Sequence, residues 1–181
     1  MKGKAWLCFI SAILFVPLVL IQLSIINNPE LKTFNLVLSL ITTIIFVYIY
    51  VSFKNLLNSQ FNYFAINRVV WFLVIIEVFL LLTDLFPSSP LIRFMIYVLG
   101  FLAGIAYIMM GIKLVKFEDR FNGFLKKYGY ICIFQGVCMA SIVLIFLSVL
   151  ITLVEDIFLG LIFMQAEGEK PLSQNSNNSY S

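Results

Sequence analysis

Histidine is absent from this 181-residue chain, and charge is scarce: twelve Lys and Arg with nine Asp and Glu make up 12% of it. Without histidine there is no imidazole for a catalytic triad, for haem ligation or for the common zinc sites. A soluble domain carries about 25% charged residues, so a water-exposed surface of ordinary kind is excluded as well. The longest basic run is Lys126–Lys127, with no aromatic platform beside it, which excludes a nucleic-acid footprint. The three cysteines, Cys8, Cys132 and Cys138, form no C-x-x-C pair, and Cys132 and Cys138 fall on nearly opposite sides of one helix. They read as small packed residues. No glycine-rich phosphate loop, Walker lysine or Gly-x-Ser-x-Gly elbow occurs. The sequence therefore predicts no catalytic residue, no metal ligand and no cofactor.

What the chain does have is apolar sequence: 62% of it, with a mean hydropathy of +1.04. A chain this small leaves too much surface facing outward for that composition to be hidden from water. The expected fold is an all-α integral membrane protein, a polytopic helical bundle over residues 1–166, followed by a polar tail at 167–181 that is too poor in apolar residues to fold. The N-terminus has the basic start of a signal peptide, but its apolar stretch is longer than an h-region and no small-x-small site follows, so it reads as an uncleaved first span. Four spans are plain: 5–26 with Pro17 inside, 34–53, 69–86 interrupted by Glu77, and 94–112. Asn27-Asn28-Pro29 and Pro87-Ser88-Ser89-Pro90 supply turns between them.

From Tyr128 to Gln165 only Glu155 and Asp156 are charged, and one helix of that length would far exceed the roughly 30 Å hydrocarbon core. Two short helices, 128–146 and 149–165 with a turn near Leu147-Ser148, give six spans. The alternative is five spans: one helix ending before Glu155, and a C-terminal interfacial segment. That segment lacks the polar face an interfacial helix needs, so six is the favoured reading. With the N-terminus cytoplasmic, Lys2, Lys4, Lys54, Arg68, Lys113, Lys116, Arg120, Lys126 and Lys127 fall inside, against Lys32 and Arg93 outside. This obeys the positive-inside rule and places the chain as a multi-pass protein of a bacterial inner (cell) membrane.

The two inside connections resemble each other: Tyr48-x5-Lys54 then Phe61-Asn62-Tyr63-Phe64, and Tyr107-x5-Lys113 then Phe121-Asn122-Gly123-Phe124. Each puts aromatics and leucines on one helical face and polar residues such as Asn55, Asn58, Glu118 and Asp119 on the other. Both are expected along the headgroups. They are either a duplicated transporter-like unit or linkers alike by composition.

Gly100, Ala103, Gly104 and Gly111 in the fourth span, and Gly136 and Ala140 in the fifth, make small-residue stripes for close helix packing, within the chain or with a second copy. Carboxylates inside spans are the default place to look for function. Glu77 is one; Glu155 and Asp156 join it if six spans form, with Gln135 within reach as a hydrogen-bond partner. Such groups either orient helices or handle an ion. The expected role is a non-enzymatic structural or accessory membrane subunit, partnered by lipid and by a second copy or a membrane complex. The alternative is a proton- or cation-linked small transporter or channel.

Overall fold

The protein was analysed as a computed structural model, which describes residues 2–24, 30–86, 89–117, 121–141 and 144–167. Among these, six α-helices form and no strand: α1 (Lys2–Ser24), α2 (Leu31–Phe61), α3 (Asn67–Asp84), α4 (Pro90–Lys116), α5 (Phe124–Ala140) and α6 (Ile145–Ala166). Asn27-Asn28-Pro29, Pro87-Ser88, the polar side chains of Glu118, Asp119 and Asn122, and the tail from residue 168 lie outside the described residues.

Local chemistry explains several boundaries. α4 starts where Ser89 accepts a hydrogen bond from the Ile92 N–H, with Pro90 in the first turn, where its missing N–H costs nothing. α2 stops at Asn62, which takes the left-handed conformation (φ 52°) and returns its N–H to the Leu57 carbonyl. Gly123 supplies the left-handed residue (φ 81°) that lets the chain enter α5. α1 runs on through Pro17.

Four helices, α1, α2, α4 and α6, are long and apolar enough to cross a membrane. α3 falls outside that group while carrying Arg68, Glu77 and Asp84, and α5 has 17 residues. The main helix contacts run α1 to α2, α2 to α3, and so on to α6, which closes on α1. Short connections make sequence neighbours antiparallel, so the six helices form a closed ring.

The break in the last apolar region falls at Ser141, which leaves α5 in an extended conformation (φ −99°, ψ 120°), rather than at the expected Leu147-Ser148. No Gly or Pro marks it. The last residue of α5, Ala140, packs against Gly104 of α4. α6 then runs unbroken through Glu155 and Asp156. The arrangement with one helix ending before Glu155 and an interfacial segment after it is not formed.

The two connections also differ from expectation. α2 does not stop at Phe53 but continues to Phe61 as one 31-residue helix, about 46 Å long at about 1.5 Å per residue. Phe53, Leu56 and Leu57 are buried, as are Phe121 and Leu125 from the second connection. The apolar faces turn inward onto each other instead of outward to headgroups. Phe61 meets Phe121 and Phe117 edge-on at 5.2 and 5.9 Å, and Tyr63 lies 4.3 Å from Phe117. The Tyr63 hydroxyl donates to the Lys113 carbonyl (2.7 Å), and Lys113 Nζ donates to the Ala65 carbonyl (2.7 Å). Burial pushes the Tyr63 hydroxyl above its ordinary range, which keeps it a donor at neutral pH. The resemblance between the connections does not extend to equivalent burial: Tyr48 is exposed, whereas Tyr107 is buried.

Phe121 anchors this aromatic plug from a left-handed backbone (φ 56°) and is 1% exposed. A bulky residue keeps that conformation only when its surroundings hold it there. Phe121→Ala is expected to cost about 3–5 kcal/mol. Phe64→Ala, at an exposed neighbour, should stay within about 0.5 kcal/mol. Unfolding in mild detergent, followed by circular dichroism, compares the two.

Candidate functional site

The ring encloses a cavity of about 230 Å³ to which every helix contributes: Ser11 from α1, Thr42, Phe46 and Tyr50 from α2, Glu77 from α3, Tyr107 from α4, Gln135 and Met139 from α5, and Thr152, Glu155 and Asp156 from α6. The three carboxylates singled out by the sequence thus line one space. Glu77 is the eleventh residue of α3 and Glu155 the eleventh of α6, so both sit near the middle of their helices.

Glu155 is 2% exposed and is the most elaborately held. Its Oε1 accepts from the Tyr50 hydroxyl (2.5 Å) and from the Tyr128 hydroxyl (3.0 Å), with Cys132 Sγ 3.8 Å away. The Tyr50 and Tyr107 hydroxyls lie 3.1 Å apart. A phenol has one proton to give. With Tyr50 donating to Glu155, Tyr107 must be the donor to Tyr50, which sets a directed chain Tyr107 to Tyr50 to Glu155. If Glu155 carries the proton, the same oxygens support the reverse direction, with Tyr107 passing the proton into the cavity. Tyr107 itself borders the cavity beside Glu77 and is electrostatically linked to it.

The other polar groups are held more simply. Ser11 lies close to Asp156, and Thr43 close to Glu77. Gln135 is 3% exposed; its Nε2 donates to Thr152 Oγ1 (2.9 Å), and its Oε1 has no hydrogen-bond partner among the described residues. The expectation that Gln135 could bond to the α6 acids is replaced by this contact with Thr152, one turn before them. Among the described residues no Lys or Arg lines the cavity. Among the described residues no group of His, Cys, Asp and Glu is arranged to hold a metal ion. Comparison with family models, with curated proteins and with solved structures finds no match for this chain.

The small-residue stripes do their work between α4 and α5. A Cβ on Gly104 would stand 2.7 Å from the Gly136 carbonyl oxygen and 2.9 Å from the Ala140 nitrogen; one on Gly111 would collide with the Gly129 carbonyl oxygen. Both helices thus carry glycines seven residues apart, and the two pairs interlock backbone to backbone. Ala103 is buried in the same region. Gly100 is different. A Cβ there meets nothing within 4 Å, so the stripe runs through Gly104 and Gly111 rather than Gly100 and Gly104, because seven residues return to one helix face more closely than four.

Sequence reasoning passed over Tyr50, took Tyr128 as the start of the fifth span, Cys132 as a small packed residue and Tyr107 as part of the repeat, and did not single out Gly129. The tyrosines gave no signal: Tyr50 and Tyr128 stand at the ends of the spans read at 34–53 and 128–146, where tyrosine is ordinary. Gly129 could have been found from its seven-residue spacing to Gly136.

Proposed function

We propose that the protein is a multi-pass membrane protein of six spans, N-terminus cytoplasmic, in a bacterial inner membrane, and that it moves protons or another cation through the space inside its helix ring. The observation that carries this reading is the convergence of Glu77, Glu155 and Asp156 on one cavity that, among the described residues, no basic side chain lines. Carboxylates inside a membrane are expensive, and without a counter-ion that expense is met by a proton or by a bound cation. The Tyr107, Tyr50, Glu155 chain gives a proton a hydrogen-bonded path between the cavity and a buried acceptor. On this reading α3 and α5 cross as well: their 18 and 17 residues fall within the range of about 17–25 for a span. The positive charge of the two inside connections sets the orientation.

A structural or accessory subunit, the role that composition favours, needs a packing face free to hold a partner. The glycine faces of α4 and α5 are already occupied by each other. Non-enzymatic function remains the reading. Cys132, the thiol 3.8 Å from Glu155, is fully buried and does not border the cavity.

The test is flux in vesicles of purified protein loaded with a pH-sensitive dye, under imposed proton, sodium or potassium gradients. Movement above that of protein-free vesicles is expected for at least one gradient. Absence of flux for every gradient would overturn the reading. A reporter fused at the C-terminus should be active only in its cytoplasmic form; an external reporter would exclude six spans.

A further inference from the structure

Beside the central cavity, on the side where α3, α4 and α5 meet, lies a second space of about 580 Å³ bordered by Ile96, Tyr97, Gly100, Phe101 and Ala140. Leu80 and Met139 border both spaces and form the wall between them among the described residues. Both are flexible and apolar, and methionine in particular repacks at low cost. Gly100 has no side chain to narrow the outer space, and open room lies where its Cβ would be. The outer space therefore forms an apolar vestibule on the flank of the ring, with Ile96, Tyr97 and Phe101 exposed around it.

The inner space has a chemistry of its own. Phe15, Phe46, Tyr50 and Tyr107 supply aromatic faces, Phe46 and Tyr50 being stacked at 4.2 Å. Glu77, Glu155 and Asp156 supply negative charge, and Gln135 adds a buried carbonyl oxygen with no partner. Aromatic faces with carboxylates are what an ammonium group seeks. A bare inorganic cation, by contrast, would lose its hydration in an apolar vestibule with nothing to replace it.

We propose that the cavity receives a small organic cation, an ammonium carrying alkyl or aryl groups, directly from the lipid phase as the Leu80 and Met139 side chains of the shared wall move aside. The inference rests on the transport reading above and supplies its cargo. The apolar body of such a molecule partitions into the bilayer and passes the vestibule. Its charged head then meets the carboxylates and the Gln135 oxygen. At about 230 Å³ the cavity is below the range of about 300–1,000 Å³ typical of drug-sized sites, so a single ring or a few short alkyl groups fill it.

Radiolabelled benzyltrimethylammonium, whose charge is permanent, is the probe, and the full-length protein in lipid nanodiscs is the target. Saturable binding is expected, weakened by about tenfold or more in Asp156→Asn. Gly100→Leu, which places a side chain in open space and so leaves folding intact, should slow association and dissociation alike by about fivefold with Kd unchanged. No saturable binding by the folded wild-type protein overturns the cargo. Unchanged rates in Gly100→Leu overturn the lateral route. Flux in vesicles without probe binding would remove this inference and leave the transport reading standing; binding without flux would do the reverse.

Discussion

Glu155→Gln is expected to bring ion movement in reconstituted vesicles down to the level of vesicles without protein, while the purified variant stays folded. Glutamine keeps the shape of the side chain and an acceptor oxygen for the Tyr50 and Tyr128 hydroxyls, so the buried network is not left with orphaned donors. What it loses is the ability to take up and release a proton or to present charge to a cation. Tyr50→Phe removes the middle member of the Tyr107, Tyr50, Glu155 chain but leaves Tyr128 on the carboxylate; flux should fall without vanishing. Asp84→Asn is the control. Asp84 borders a separate recess with Lys32 and Arg93, so flux should be retained. Wild-type flux from Glu155→Gln would remove Glu155 from the path.

Gly104→Leu is expected to destabilise the fold by forcing α4 and α5 apart. The new Cβ would meet the Gly136 carbonyl and the Ala140 backbone nitrogen, both under 3.0 Å. Backbone atoms cannot rotate out of the way as a side-chain end can, so α4 and α5 must separate. The cost is about 1–3 kcal/mol or more, added to the loss of close helix contact on which association in lipid depends. Gly111→Leu should behave alike, since its neighbour is the Gly129 carbonyl. Gly100→Leu, in the same helix and of the same chemistry, should change stability by no more than about 0.5 kcal/mol. Titration with a denaturing detergent, read by fluorescence of Trp6 and Trp71, compares the three. Equal midpoints for Gly104→Leu and Gly100→Leu would mean that the glycine pairs do not hold the helices.

The helices were legible because their signals are local. Apolar runs of spanning length and the Pro-Ser-Ser-Pro turn before α4 need no partner to be understood. The end of α2 at Asn62, the entry to α5 at Gly123 and the break after Ala140 were not read, the last because residues 141–144 hold neither Gly nor Pro. Amphipathic faces at 53–64 and 114–128 were legible as faces, but not what they would cover. Periodicity names a buried side without naming its neighbour, and here each segment buries the other. At the site, three acids in apolar sequence announced themselves by their cost. The tyrosines that hold Glu155 did not. They come from α2, α4 and α5, share no spacing, and are recruited by a ring closure that sequence order alone does not reveal.

The interlocked glycines have a mechanical corollary. Two helices pinned at two points seven residues apart can neither slide nor swivel against each other without forcing carbonyl oxygens together, so α4 and α5 behave as one rigid strut. That strut carries Tyr107, Tyr128 and Gln135, but none of the three acids, which ride on α3 and α6 at its two edges. Any working cycle that exposes the cavity first to one face of the membrane and then to the other must therefore swing the acids past a stationary post. Glu155 would exchange its tyrosines at each stroke, and the strut would be the frame against which the stroke is measured.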